Sequence, residues 1–521
     1  MMFAIFMSRV LGQLRDTVIA FQFGQNEQTD AYRAAFQLPD LLYFMVAGGA
    51  LSSALIPVFS RHLQLKQEEA AWRIFSTVAI LMMSVVGVLV VVAEVFAPWL
   101  VSVMFSGFDS ERLEMTTSLT RIVLPSQIFF LAGGLMMATL YSRNEYLVPA
   151  LGPNVYNVGI IFGGLALAGP FGIAGLAWGA LLGAFVGNVL LPLWAMRRLG
   201  SRLNRKIDLK DPGARQVFKM MLPVMFGLSL PGIYMLILRM FGSHLPEGSI
   251  SALDNANRQM QAPLGIVGQA VGLAIFPVMS RLAAEQDWKT FRLVLRNGLR
   301  LVWYLCLPAT ALLFALADDV GRLFLQYGKF KPSDTELVAS ALRAFSLGLF
   351  AWAGQALVAR AFFSLQDGLT PTLIGSIATL AFVPLAWLLM IKMEMGPTGL
   401  ALAVSIAATM QMVSMLIVLG RRVPASEGSV EPQPLLRHIG ICAGASLLIG
   451  GGCFFARDTV ADWLSDFQPN LASLFILLAL GGAGMALYWQ ATQRLGLSEA
   501  QYVRKFLARK GSGQAEGDGR D

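Results

Sequence analysis

Ile80-Leu81-Met82-Met83-Ser84-Val85-Val86-Gly87-Val88-Leu89-Val90-Val91-Val92-Ala93 is a run that no soluble core requires. It lies within an apolar stretch over 74–104, and a bilayer-spanning helix needs roughly 20 mostly apolar residues. Comparable segments recur at 1–22, 31–60, 116–141, 147–168, 172–196, 216–241, 250–280, 297–317, 336–363, 370–391, 397–419, 435–455 and 470–490. The chain therefore reads as an all-α polytopic membrane protein of about fourteen transmembrane helices. A length of 521 residues would suit about three or four soluble domains. Composition excludes that: 56% of residues are hydrophobic and 14% charged, against roughly 25% charged in soluble domains. A soluble enzyme, a nucleic-acid binder and a disordered chain are excluded as whole-chain readings. A β-barrel is not expected, because the blocks are continuously apolar rather than alternating.

The basic balance, +8 at neutral pH, reads as membrane topology. One alternate set of connections holds 25 Lys and Arg, among them Arg61, Arg143, Arg197, Arg281 and Arg421, and the other set holds 6. The richer set is expected to be cytoplasmic, with both termini inside. The first segment has no basic region ahead of its apolar part and reads as a retained helix, not a signal peptide. Cys306, Cys442 and Cys453 lie in apolar stretches without metal-type spacing, and the three histidines are far apart, so no metal or cofactor is expected.

The sequence repeats. Pro57-Val58-Phe59-Ser60-Arg61 recurs as Pro277-Val278-Met279-Ser280-Arg281, 220 residues later. Ser142 to Pro149 resembles Ser364 to Pro371 at 222, and Arg197-Arg198 recurs as Arg421-Arg422 at 224. A unit of six helices, an even number, gives two copies of like orientation, with a site expected between them. The expected organisation is an N-lobe over 1–200, a C-lobe over 201–425, a helix pair over 426–495 and a cytoplasmic tail over 496–521.

Ionisable residues within spans cost at least about 2.5–3.5 kcal/mol each at a helix centre. The first segment holds Ser8-Arg9-Val10-Leu11-Gly12-Gln13-Leu14-Arg15-Asp16. Helical spacing places Arg9, Gly12 and Asp16 on one stripe and Ser8, Gly12 and Arg15 on the next. The second segment begins with Asp30, Arg33 and Gln37 before Pro39-Asp40, and the eighth mirrors it with Asp254, Arg258 and Gln261 before Pro263. Arg9, Arg15, Asp16, Asp30, Arg33 and Arg258 are thus the candidate site. Arginine holds phosphate oxygens bidentately and keeps its charge, so an anion is the expected cargo. Arg121, Arg239, Arg343 and Arg360, nearer segment ends, read as snorkelling or structurally paired, and Asp318-Asp319 as solvated charge. No nucleophile–base pair, Walker loop or metalloprotease motif is present, so no catalytic residue is expected.

Ser8-Arg9-Val10-Leu11-Gly12 with Arg15-Asp16, Thr29-Asp30-Ala31, Leu38-Pro39-Asp40 and Gly49 to Phe59 together resemble the MurJ (MviN) lipid II flippase family. That family belongs to the multidrug/oligosaccharidyl-lipid/polysaccharide exporter superfamily. Phe324-Leu325-Gln326-Tyr327-Gly328-Lys329-Phe330 and Phe363 to Asp367 with Thr370-Pro371 extend the likeness over essentially the whole chain. The resemblance implies two six-helix lobes plus a pair bordering a lipid groove. It also implies alternating-access transfer of the undecaprenyl-pyrophosphate-linked peptidoglycan precursor to the outer leaflet of the bacterial cytoplasmic membrane. Its essential positions fall on Arg9, Arg15, Asp30 and Arg258. A further second-helix Arg of the family falls on Tyr43, with Arg33 a candidate replacement. Some members bind sodium through acidic or amide residues on helices seven and eleven. Here 228–240 and 372–391 contain no Asp, Glu, Asn or Gln, so transport is expected not to need sodium. The expected partners are lipid II and membrane lipids, with no nucleic acid, and the chain is expected to be a monomer. A multidrug or O-antigen-type exporter of the same superfamily is the alternative. A lipid-linked glycosyltransferase lacks the outward carboxylate loop it would need, and a scaffold gives no reason for the buried arginines.

Overall fold

The computed structural model describes residues 2–46, 50–200, 208, 211–424 and 433–500. Among these every regular element is helical. Nine helical stretches are long and apolar enough to cross a bilayer, and Pro332–Ser346 with Leu349–Ser364, bent by 45°, makes a tenth. The described residues of the other four expected segments are also largely helical. The chain is a polytopic all-α membrane protein.

It divides into two compact units, Met1–Asp254 with Phe324–Asp334, and Asn255–Leu323 with Thr335–Asp521. The first contains α1 (Met2–Phe23), α2 (Glu27–Ala35), α3 (Gln37–Val46), α4 (Ala50–Gln64), α5 (Glu68–Met104), α6 (Ser110–Val123), α7 (Ser126–Ser142), α8 (Leu147–Phe162), α9 (Ala168–Phe171), α10 (Ala174–Phe185), α11 (Leu191–Arg198), α12 (Pro212–Gly242) and the start of α13 (Ser249–Ala284). Along α5 the side chains of Val78, Met82, Val86, Val90, Ala93, Ala97 and Val101 are buried at helical spacing. Val88, Val91, Val95, Trp99 and Val103 are exposed. A helix apolar all round with one packed stripe turns its remaining faces to lipid. α8 and α10 approach through small residues. A Cβ at Gly159 would lie 2.5 Å from the Gly183 Cα, and one at Gly179 would lie 2.4 Å from the Gly159 carbonyl. This is the close backbone contact on which membrane helices rely when no hydrophobic force separates them from lipid.

The segment expected over 31–60 is broken. Pro39 has no N–H for the Ala35 carbonyl, so α3 starts afresh at Gln37, with Pro39 in its first turn, where an N–H would lack a helical partner anyway. The Thr120 hydroxyl lies 3.3 Å from that Ala35 carbonyl. In α5 Pro98 frees the Glu94 carbonyl in the same way, and the Arg121 Nε donates to it at 3.2 Å.

The second unit holds the rest of α13 and α14 (Trp288–Ala315), α15 (Ala317–Leu325), α16 (Pro332–Ser346), α17 (Leu349–Ser364), α18 (Leu369–Ala386), α19 (Gly396–Arg422), α20 (Gln433–Trp463), α21 (Pro469–Ile476) and α22 (Gly482–Arg494). Its core gathers Phe291, Trp303, Leu357 and Phe362. The final helices are tied to α14 by the Tyr488 hydroxyl, which donates to the Tyr304 carbonyl at 2.9 Å, and by a Tyr304–Thr492 hydroxyl contact at 3.1 Å. Asp319 is not solvated as its sequence context suggests. It is fully buried and accepts from Arg457 Nε and Ser473 Oγ, each at 2.9 Å, while Arg343 pairs with Asp318. Donors from α20 and α21 supply what water would otherwise supply.

Candidate substrate site

Three of the candidate residues meet in the first unit. Asp16, two turns from the end of α1, is buried, and its Oδ1 lies 3.1 Å from Arg15 Nη2, 3.2 Å from Arg15 Nε and 3.3 Å from Arg33 Nη2. Adjacency alone brings Arg15 to Asp16. Arg33 arrives because Asn26 caps α2, its side chain accepting from the Gln28 and Thr29 amides, and so sets the phase of the short helix that carries it. Arg33 is buried along with Thr29, Tyr32 and Ala34. These three side chains sum to one positive charge, with Asp16 and Arg33 buried and Arg15 partly exposed. A buried pair of this kind is held by geometry and hydrogen bonds rather than by net Coulomb gain.

Arg15 has a second anchor that sequence reading passed over. Its Nη1 donates to Asn157 Oδ1 at 3.0 Å, and Asn157 Nδ2 donates to the Ser8 carbonyl at 3.4 Å. One turn earlier Asn154 Nδ2 donates to the Ala4 carbonyl at 3.1 Å. The signal was present as two amides three residues apart in an otherwise apolar segment, which helical spacing places on one face of α8.

Arg9 is exposed, and among the described residues none forms an ion pair with it. Asp30 is buried, and its two oxygens accept the Gly248 and Ser251 amides at 2.7 Å each. Those amides open α13, and φ is +80° at Gly248. Asp30 is thus an N-terminal cap supplied from a distant helix. Arg258 is exposed and belongs to the second unit. Asp254, which spacing sets one turn from Arg258, pairs with Arg239 Nη2 at 3.0 Å, and Arg239 Nη1 donates to Gln37 Oε1 at 2.9 Å. Arg239 is thereby structurally paired, as expected for its position. Tyr43 packs edge-on against Phe130, centroids 6.0 Å apart, an aromatic contact that needs no counter-charge.

Chemically, the cluster can hold an oxyanion and orient it; its residues are donors and a single paired carboxylate. The model of the family described as Lipid II flippase MurJ matches residues 19–457. The Lipid II flippase MurJ of Burkholderia cenocepacia is 27% identical over 515 residues, covering 96% of this chain and 97% of its own. The Probable lipid II flippase MurJ of Vibrio cholerae is 29% identical over 505 residues, covering 94% of each chain. Among solved structures, a lipid II flippase MurJ in an inward closed conformation superposes with a TM-score of 0.77 at 23% identity, over 95% of this chain and 98% of that one. An inward-facing multidrug resistance MATE family transporter of the MOP superfamily superposes at 0.63 with 16% identity, over 80% of this chain and 94% of that one. The all-helical membrane fold and a family match over residues 19–457 converge: the chain belongs to the MurJ lipid II flippase family.

Proposed function

We propose that this chain carries lipid II from the inner to the outer leaflet of the bacterial cytoplasmic membrane by alternating access. The observation that carries the reading is the Arg15–Asp16–Arg33 cluster, two guanidiniums on one carboxylate inside a membrane helix bundle. A pyrophosphate head supplies the anion that such a cluster attracts, and arginine can grip it bidentately without losing its proton. Arg9 and Arg258 add further cationic groups for the cargo, from a lobe over 1–200 and a lobe over 201–425. Asp16 orients its two arginines, and Arg33 supplies the cation that Tyr43 does not. Asp30 serves by fixing the start of α13, the helix on which Arg258 is carried. The pair over 426–495 borders the polyprenyl chain, and the tail over 496–521 and the N-terminus are cytoplasmic. The chain works as a monomer among membrane lipids and moves its cargo without altering it.

The test is replacement of the resident flippase in a depleted bacterium, scored by lipid II reaching the outer leaflet. Growth and outer-leaflet lipid II with the parent chain, and loss of both with Arg15→Ala at equal protein level, are expected. Failure of the parent chain to restore either would overturn the reading.

A further inference from the structure

Asn157 is a buried amide whose two ends are both committed. Its nitrogen donates to the Ser8 carbonyl, and its oxygen thereby faces Arg15 Nη1. The hold is unlike the one Asp16 exerts. Asp16 receives Nε and Nη2, the side edge of the guanidinium, and brings a charge that partly cancels it. Asn157 takes Nη1 with a neutral oxygen. A guanidinium with one edge fixed by a carboxylate can still rock about that edge; a second acceptor on Nη1 stops the motion. Of the five guanidinium protons, these contacts commit three, leaving one on each Nη for an incoming oxyanion, and the Arg15 side chain stays 13% exposed.

From this geometry we infer that Asn157 is a positioning residue for transport. It locks Arg15 with its end edge presented to the pyrophosphate and adds no negative charge to the site. The inference rests on Arg15 being a pyrophosphate contact. α8 is a suitable carrier, because its opposite face is seated without slack on α10 through Gly159, so the amide is fixed by backbone packing rather than by a mobile loop.

The experiment measures lipid II binding to the full-length chain in phosphatidylcholine nanodiscs, together with thermal unfolding. Arg15→Ala is expected to weaken binding by about 100-fold, and Asn157→Ala by about 10-fold, the low end of the scale on which loss of an orienting partner is felt. Arg15→Ala with Asn157→Ala should bind no more weakly than Arg15→Ala alone, to within about twofold, since the amide acts only through the guanidinium. If the Asn157→Ala loss persists in full in the Arg15→Ala background, the amide acts structurally and the inference is overturned. Unchanged binding with Asn157→Ala overturns it too. Unchanged binding with Arg15→Ala instead removes the pyrophosphate contact on which the inference rests. Should Asn157→Ala fold poorly, Asn157→Asp keeps an acceptor in place and cancels the cluster's excess charge. Its binding should fall below the parent's, because the added carboxylate competes with the pyrophosphate for Arg15; parental affinity would overturn the assignment.

Discussion

Removing the Asp16 carboxylate would leave the Arg15 and Arg33 guanidiniums facing one another away from water. Breaking a buried ion pair from one side costs about 3–5 kcal/mol, so Asp16→Ala should lower the unfolding temperature and the yield of folded protein. Arg15→Ala leaves Arg33 on Asp16 and should cost less stability while costing more transport; unfolding curves set beside complementation separate the two. Asp30 makes the opposite kind of prediction. Its oxygens accept two buried amides at the head of α13, and losing such a cap costs about 0.5–2 kcal/mol. Asp30→Ala should therefore lower stability, and Asp30→Asn, which keeps one acceptor, should lower it less. Equal, parental stability in both would show that Asp30 serves the cargo and not the helix. At this scale the sequence displayed only part of the site. The Arg15–Asp16 contact follows from adjacency, whereas Asn157 lies 142 residues from Arg15 and Asp30 lies 218 from Gly248, distances over which helical periodicity carries no information.

Helix contacts are set by what the side chains leave out as much as by what they add. Gly179 faces backbone: a methyl there would meet the Gly159 carbonyl at 2.4 Å and the Gly163 Cα at 2.8 Å. Backbone cannot swing aside as a side chain can, so Gly179→Ala should force α10 from α8 and cost about 1–3 kcal/mol. Gly451→Ala, with open space about its Cβ position, is the control and should leave the unfolding temperature unchanged or slightly raised. Element existence was legible because 20-residue apolar blocks admit little besides helix. Element breaks were less so. Pro39 could have kinked one continuous helix or started a second, and the choice rests on which groups meet the freed carbonyl. Pro98 and Arg121 show the same dependence, with 27 residues between the Glu94 carbonyl and its donor. Asp319 was misjudged for a related reason: nothing near it in sequence announces Arg457 and Ser473.

Across the whole molecule the repeat extends to local geometry. Left-handed residues recur at its period: Gly24 with Gly248, Lys66 with Gln286, Asn144 with Gln366 and Gly172 with Gly396. The helix stops match as well, Gln67 N–H to the His62 carbonyl against Asp287 N–H to that of Leu282, and Glu145 to Leu140 against Asp367 to Phe362. Arg121 and Arg343, 222 apart, each donate Nε to a main-chain carbonyl, of Glu94 and Phe314. A duplicated carrier needs a force to bias its cycle, and here the two candidate forces separate cleanly. Sodium is a hard cation that prefers oxygen ligands, and neither 228–240 nor 372–391 offers an acidic or amide side chain. The membrane potential needs no such site. An inside-negative potential drives an anionic pyrophosphate outward and draws back an empty carrier with excess arginine charge. Each elementary charge crossing the full field contributes about 2.3 kcal/mol per 100 mV, so one or two effective charges bias the cycle strongly. Flipping in vesicles should therefore persist when sodium is replaced by choline at a held potential, and slow sharply when the potential is collapsed at constant sodium. Loss in the first condition with survival in the second would assign the coupling to sodium, held then by main-chain carbonyls that the prolines leave without helical donors.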